Sequence, residues 1–235
     1  MMYNVPMIEN PIPMELNLLM DEVLPRKTLE ARLDLIEKIV VERPMYGKEY
    51  QVLFQQQFLE FGIEVTLHPY DDIGINQLTA NGFFCSWAYE EEEETDIELV
   101  IVLNNLDRAI SINNTDWDFF RHQVTQTLEH EMIHRDQARA RLGSGYMQAY
   151  TQHMDEEQKR IAYLSDPDEI DAYANDVALD MLYLYSYMTA YSRMRNYKRI
   201  RQDESPIFCE YVDTFGWNSE TVHILVKKAL KRLET

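Results

Sequence analysis

Apolar residues recur at helical spacing through the first sixty positions, and then the period changes. Leu29, Leu33, Ile36 and Val40 fall on one face of a helix that Thr28 is placed to cap, and the pattern stops before Pro44. Tyr50, Leu53, Phe54, Phe58 and Phe61 share a face of a second helix, with Gly62 as its stop. From Ile63 the alternation has a period of two. Ile63, Val65 and Leu67 against Glu64, Thr66 and His68 predict a half-buried strand with His68 facing out. Residues 82–89 set Phe83, Cys85, Trp87 and Tyr89 against Phe84, Ser86 and Ala88, a second strand, and the β-branched run 97–103 makes a third. Five glutamates, Glu90 to Glu94, join these two as a solvated loop. After Asn104 helical spacing returns. Thr115 and Asp118 have capping-box spacing at the head of a helix that runs to Leu142, before Gly143, Ser144 and Gly145. A further long helix starts near Pro167 and reaches Arg201. Shorter ones cover 206–215, closed by Gly216, and 219–233.

No repeat or low-complexity linker divides the chain. One domain is therefore expected over 1–235: a helical N-terminal part (1–60), a sheet with the site helices (61–180), and C-terminal helices (181–235). The fold class is α+β, mostly helical, with a small β-sheet.

Composition supports this picture and narrows the partners. Only 7 of 235 residues are glycine, which suits long helices. A net charge of −19 repels phosphate backbones, so nucleic acid is not expected as a main partner. Against that background the bases Arg193, Arg195, Lys198, Arg199 and Arg201, interleaved with Tyr191 and Tyr197, read as a helix-dipole complement or a partner contact. The longest purely apolar run, 99–103, is far shorter than the about 20 residues that span a bilayer, and no membrane segment is expected. Residues 1–17 hold no Lys or Arg and no continuous apolar core, and Cys85 and Cys209 lie far apart. No signal peptide is expected, and the expected setting is cytoplasmic, with reduced thiols.

The chemistry concentrates at His130-Glu131-Met132-Ile133-His134, an HExxH sequence. Residues four apart on a helix differ by only about 40° in direction, so both imidazoles point the same way and can bind one zinc ion. Glu131 stands beside them as a general base. Phe120, Val124, Thr127, His130, Glu131, His134 and Ala138 share one face, which turns the histidines toward the protein body. Zinc needs a third protein ligand. Gln137 and Ala140 occupy the places where the metzincin glycine and third histidine would stand. Downstream, Pro167 suits the first position of a helix that carries Glu169 in its first turn, beside the small residues Ala172 and Ala174. Glu169 is the third-ligand candidate, with Asp176, Asp180 and His153 in reserve. Its competing role is a cap, because Asp166 and Glu169 have capping-box spacing. Tyr163 and Tyr173 flank this segment; each is a core-packing residue or a donor to an oxyanion. His223 reads as a surface residue.

The stretch from Asn81-Gly82-Phe83 through Ile101-Val102-Leu103-Asn104 to Thr127-Leu128-Glu129 and the HExxH helix resembles a minimal zincin of SprT-like layout. The segment from Tyr163 to Ala174 departs from SprT, which uses a third histidine, and is similar to phage-encoded metallopeptidases with a gluzincin-type glutamate. Tyr211 to Gly216 and Leu225 to Leu230 resemble their C-terminal tails. The likeness covers residues 80–233, and Arg135 departs from the uncharged residue that zincins place after the second histidine. The resemblance implies a zincin-like fold with the sheet packed on the HExxH helix, Zn2+ held by His130, His134 and Glu169, and a peptide or protein substrate. A phage source implies the host cytoplasm and association with other virion proteins. The alternative is a non-catalytic virion structural or interaction protein that keeps the fold without turnover.

Overall fold

Leu29, Leu33, Ile36 and Val40 are all buried along the first helix, α1 (Arg26–Val40), as their spacing requires. The computed structural model describes residues 24–74, 76–86, 94–141 and 154–234. Helix α1 opens two residues before Thr28, because the Pro25 carbonyl accepts from the amides of both Thr28 and Leu29. Leu24 and Leu29, one before the cap and one a turn in, are buried in the same cluster and fix this start. α2 (Gly47–Phe58) buries Tyr50, Leu53, Phe54 and Phe58, and Gly62 ends the following 3-10 turn at φ 72°, a left-handed conformation that glycine adopts at least cost.

Three strands follow: β1 (Ile63–Pro69), β2 (Leu78–Phe84) and β3 (Ile97–Leu103). Their spatial order is β1-β3-β2, with β1 parallel and β2 antiparallel to the central β3. The second strand thus begins at Leu78, four residues before the start expected from the aromatic alternation. Leu78 and Ala80 supply its buried face against Leu103 and Ile101, while Phe83 is 61% exposed. Trp87, Tyr89 and Glu90 lie outside the described residues. Since β3 is central, β2 is the strand with an outer edge beside α3.

α3 (Asn114–Ala140) carries the HExxH sequence and packs on β2. Asn113 caps it, accepting from the Asp116 amide at 3.0 Å, so the expected Thr115 cap lies inside the helix instead. Asparagine is as good a cap as any residue, and Asn113 comes first in the chain. The long helix expected over 167–201 is two. α5 (Pro167–Leu184) ends at an extended Tyr185, and α6 (Tyr187–Arg195) restarts after an extended Ser186. The break returns Ala190 and Met194 to the core against the last helix. A short helix absent from the periodicity, α4 (Glu156–Leu164), precedes α5, headed by an Asp155–Gln158 capping box. α7 (Pro206–Phe215), closed by Gly216, and α8 (Glu220–Leu233), capped by Ser219, match the expected bounds within a residue.

The fold is α+β and mostly helical, with a small three-stranded mixed sheet. Its described residues form two apolar clusters. One joins α1, α2, the sheet and one side of α3; the other joins α4 to α8. Between them α3 meets α5 through polar groups. Gln126 Nε2 donates to the Asp176 carbonyl at 3.1 Å, Asn175 Nδ2 to Glu129 at 3.1 Å, and Gln137 Nε2 to the Asp168 carbonyl at 3.1 Å. Among the described residues, no helix is long and apolar enough to cross a membrane. Cys85 and Cys209 are unpaired. In the basic stretch, Arg193 pairs with Glu204, and Arg201 with Asp203 and Glu204.

Arg135, next to the second histidine, points away from the site. It forms a two-pronged pair with Asp96 (Nε to Oδ2, 2.9 Å) and donates to the Phe61 carbonyl at 2.9 Å, tying α3 to the start of β3. Both side chains are about nine-tenths buried. Removing one member of such a pair strands the other charge, at about 3–5 kcal/mol. Arg135→Met is therefore expected to lower the unfolding free energy by about 3 kcal/mol in a urea titration. A loss under 1 kcal/mol would show that Asp96 finds water instead.

Candidate metal centre

His130 and His134 lie one turn apart on α3, on the side that faces the polar seam with α5. Asp176 Oδ2 lies 2.8 Å from His130 Nδ1, and Gln137 Oε1 lies 2.9 Å from His134 Nδ1. A carboxylate and an amide oxygen only accept hydrogen bonds, so each Nδ1 carries a proton, and in the neutral ring each Nε2 is the atom with the lone pair. These two Nε2 atoms sit 3.1 Å apart. Glu169, in the first turn of α5, brings Oε2 to 3.5 Å from His134 Nε2 and 3.8 Å from His130 Nε2. That oxygen is buried and has no hydrogen-bond partner among the described residues.

Three acceptor atoms facing each other repel unless a proton or a metal cation lies among them. Four-coordinate zinc with bonds of 2.0–2.1 Å separates its ligand atoms by about 3.4 Å. The observed separations bracket that value, and all three atoms lie within 4.8 Å of one another. The donor set, two imidazoles and one carboxylate, therefore fits zinc. Glu169 could equally have spent itself on its helix, but Asp166 does the capping, accepting from the Asp168 amide at 2.9 Å.

The electrostatics agree. Burial works to lower the pKa of His130, yet Asp176 and Glu169 outweigh it and lift the value to about 10. Burial works to raise the pKa of Glu169, but the two histidines hold it at about 2. The pocket thus favours positive charge at His130 and an ionised Glu169. Glu131 is also buried. Desolvation raises its pKa, against the lowering effect of both histidines and the Phe84 backbone N–H. A carboxylate so raised accepts a proton more readily than one in water.

Sheet and helix meet closely here because residue 82 is glycine. A Cβ at Gly82 would lie 2.5 Å from Thr127 Cγ2 and 3.0 Å from Glu131 Cγ. The cleft above, about 360 Å3, is lined by Asn81, Gly82 and Phe83 of β2, by Gln126, Thr127, His130 and Glu131 of α3, and by Tyr163, Tyr173 and Asp176. The hydroxyls of Tyr163 and Tyr173 hydrogen-bond at 3.1 Å, and the Tyr173 ring packs edge-on against His130. Burial, with Glu169 nearby, raises both phenol pKa values, so both are donors at neutral pH.

His130, Glu131, His134 and Glu169 thus come together as their spacing suggests, and Tyr163 and Tyr173 join them. The reserve ligands Asp176 and Asp180 do not. Asp176 orients His130 from behind, and Asp180 takes His122 Nε2 at 3.0 Å and Ser205 Oγ at 2.7 Å. His153 lies outside the described residues. His68 and His223 are exposed. The roles of Asp176 and Gln137 leave only a faint signal in the sequence: Asp176 follows Glu169 by two helical turns, and Gln137 follows His134 by one. In comparisons with known proteins, no protein-family model, no curated protein and no solved structure matches the chain.

Proposed function

We propose that the chain is a zinc-dependent metallopeptidase that hydrolyses peptide bonds, with His130, His134 and Glu169 holding the metal. The observation that carries this reading is the convergence of two imidazole Nε2 atoms and the unpartnered Glu169 Oε2 beside buried Glu131. When bound, zinc supplies a Lewis acid and brings a coordinated water to a pKa of about 7. Glu131 takes a proton from the attacking water and passes it to the leaving amine, a role its raised pKa favours. Asp176 and Gln137 hold the imidazoles in the tautomer that presents Nε2. The Tyr163 and Tyr173 hydroxyls, in the same cleft, can donate to the carbonyl oxygen as its charge grows. The outer edge of β2 offers backbone groups on which an extended peptide can lie. The resemblance to phage-encoded metallopeptidases supports this reading, and carries with it a host-cytoplasmic setting, a peptide or protein substrate and association with other virion proteins.

Elemental analysis of the purified chain is expected to find one zinc per molecule, lost in His130→Ala. An unfolded protein such as casein is expected to be cleaved, the activity stopping with a chelator and returning with zinc. Absence of metal would end the reading. Bound zinc without chelator-sensitive cleavage would favour the non-catalytic virion component instead.

A further inference from the structure

A second cavity, of about 340 Å3, adjoins the cleft and shares Gln126, Tyr173 and Asp176 with it. That size lies within the range of side-chain and small-ligand pockets. One part is apolar: Phe119, Leu184 and Ile207 line it, and Phe119 and Leu184 are about half exposed. The other part is lined by acidic residues. Asp176 and Asp180, both more than nine-tenths buried, stand there, and no Lys or Arg is among its lining residues.

Asp176 spends one oxygen on His130, while Oδ1 is buried without a partner among the described residues. Gln123, which also lines the cavity, has a buried Oε1 in the same state. Both unpartnered atoms are acceptors, so the cavity calls for donors. Asp180 is answered only by neutral donors, Gln126 and Ser205, and by His122. Glu204 and Asp203, also at the cavity, have their charges met by Arg193 and Arg201. Asp180 therefore stands in the cavity with no Lys or Arg against it.

A ligand that fits has an apolar stem, several donors and a positive head. Arginine has all three, and its planar fork also stacks on aromatic rings such as Phe119 and Tyr183 at this cavity. We propose that this cavity is a specificity pocket for an arginine side chain of the substrate, a statement that rests on the peptidase reading for what the arginine is attached to.

Binding is measured first, apart from cleavage. The zinc-supplied full chain is titrated with the Nα-acetyl amides of arginine, leucine and glutamate by NMR or calorimetry. Arginine amide is expected to bind at least tenfold more tightly than either of the others. Leu184→Arg, at a position 43% exposed where the fold tolerates charge, puts a guanidinium at the cavity and is expected to weaken arginine amide at least tenfold. Leu184→Met is expected to keep wild-type affinity. Equal binding of leucine amide, or unchanged arginine binding in Leu184→Arg, would overturn the proposal. Two quenched peptides differing only in arginine against leucine then test the linkage to turnover, with the arginine peptide expected to be cleaved at least tenfold more efficiently. If both are cleaved equally, the pocket is not a specificity pocket. If arginine amide binds as stated and neither peptide is cleaved, the pocket stands and the peptidase reading falls.

Discussion

Glu131→Gln is expected to lower peptide hydrolysis by about a thousandfold, within the 10²–10⁴ that a positioned acid–base group contributes. Zinc content and thermal stability are expected to stay at wild-type values. Glutamine has the size of glutamate, which matters because Gly82 of β2 lies close against this side chain. Its amide oxygen can still accept from the Phe84 N–H, so the side chain stays in place. What is lost is the ability to take up a proton. Burial of the Glu131 charge costs more than its attraction to the histidines returns, as its raised pKa records, so removing that charge gives the fold no reason to weaken. Turnover of the variant at the wild-type rate would remove Glu131 from the mechanism.

How far this site can be read from the sequence depends on the range of the signal. His130 and His134 are four apart on one helix, and a local rule puts their rings together. The helices with strong apolar stripes, α1, α2 and α8, and the β-branched β3 are legible for the same reason. Helix starts are less so, because several candidate caps compete: Asn113 prevails over Thr115, and Pro25 over Thr28. β2 begins at Leu78 because its buried face is carried by Leu78 and Ala80, amid small and polar neighbours that hide the period. The break at Tyr185 and Ser186 has no glycine or proline to announce it. α4 buries only Leu164, so its capping box is its one clear signal. Asp176 is the hardest residue to read. A carboxylate two turns along α5 can ligate a metal or orient a histidine, and only the packing of α3 on α5 decides which.

The same packing decides the role of Glu169, and Glu169→Gln tests it. Glutamine is nearly isosteric and would serve in a capping box, so a residue that merely capped α5 would tolerate the change. The cap, however, is Asp166, and Glu169 Oε2 lies buried and unpartnered among the histidine nitrogens. A neutral amide oxygen in place of that anion weakens the hold on a dication. Loss of a group that only supports a metal ligand typically costs 10–100-fold in affinity or activity, and loss of a ligand's charge should cost at least as much. Chelator competition at fixed pH is therefore expected to show zinc affinity reduced 100-fold or more. The helical content of the metal-free variant should match that of metal-free wild type, because Asp166 still caps the helix. Hydrolysis is expected to fall with zinc occupancy and to recover in part at high zinc, unlike the loss in Glu131→Gln, which added zinc cannot restore. If affinity is unchanged, Glu169 is not a ligand, and the third donor must come from outside the described residues, where His153 stands.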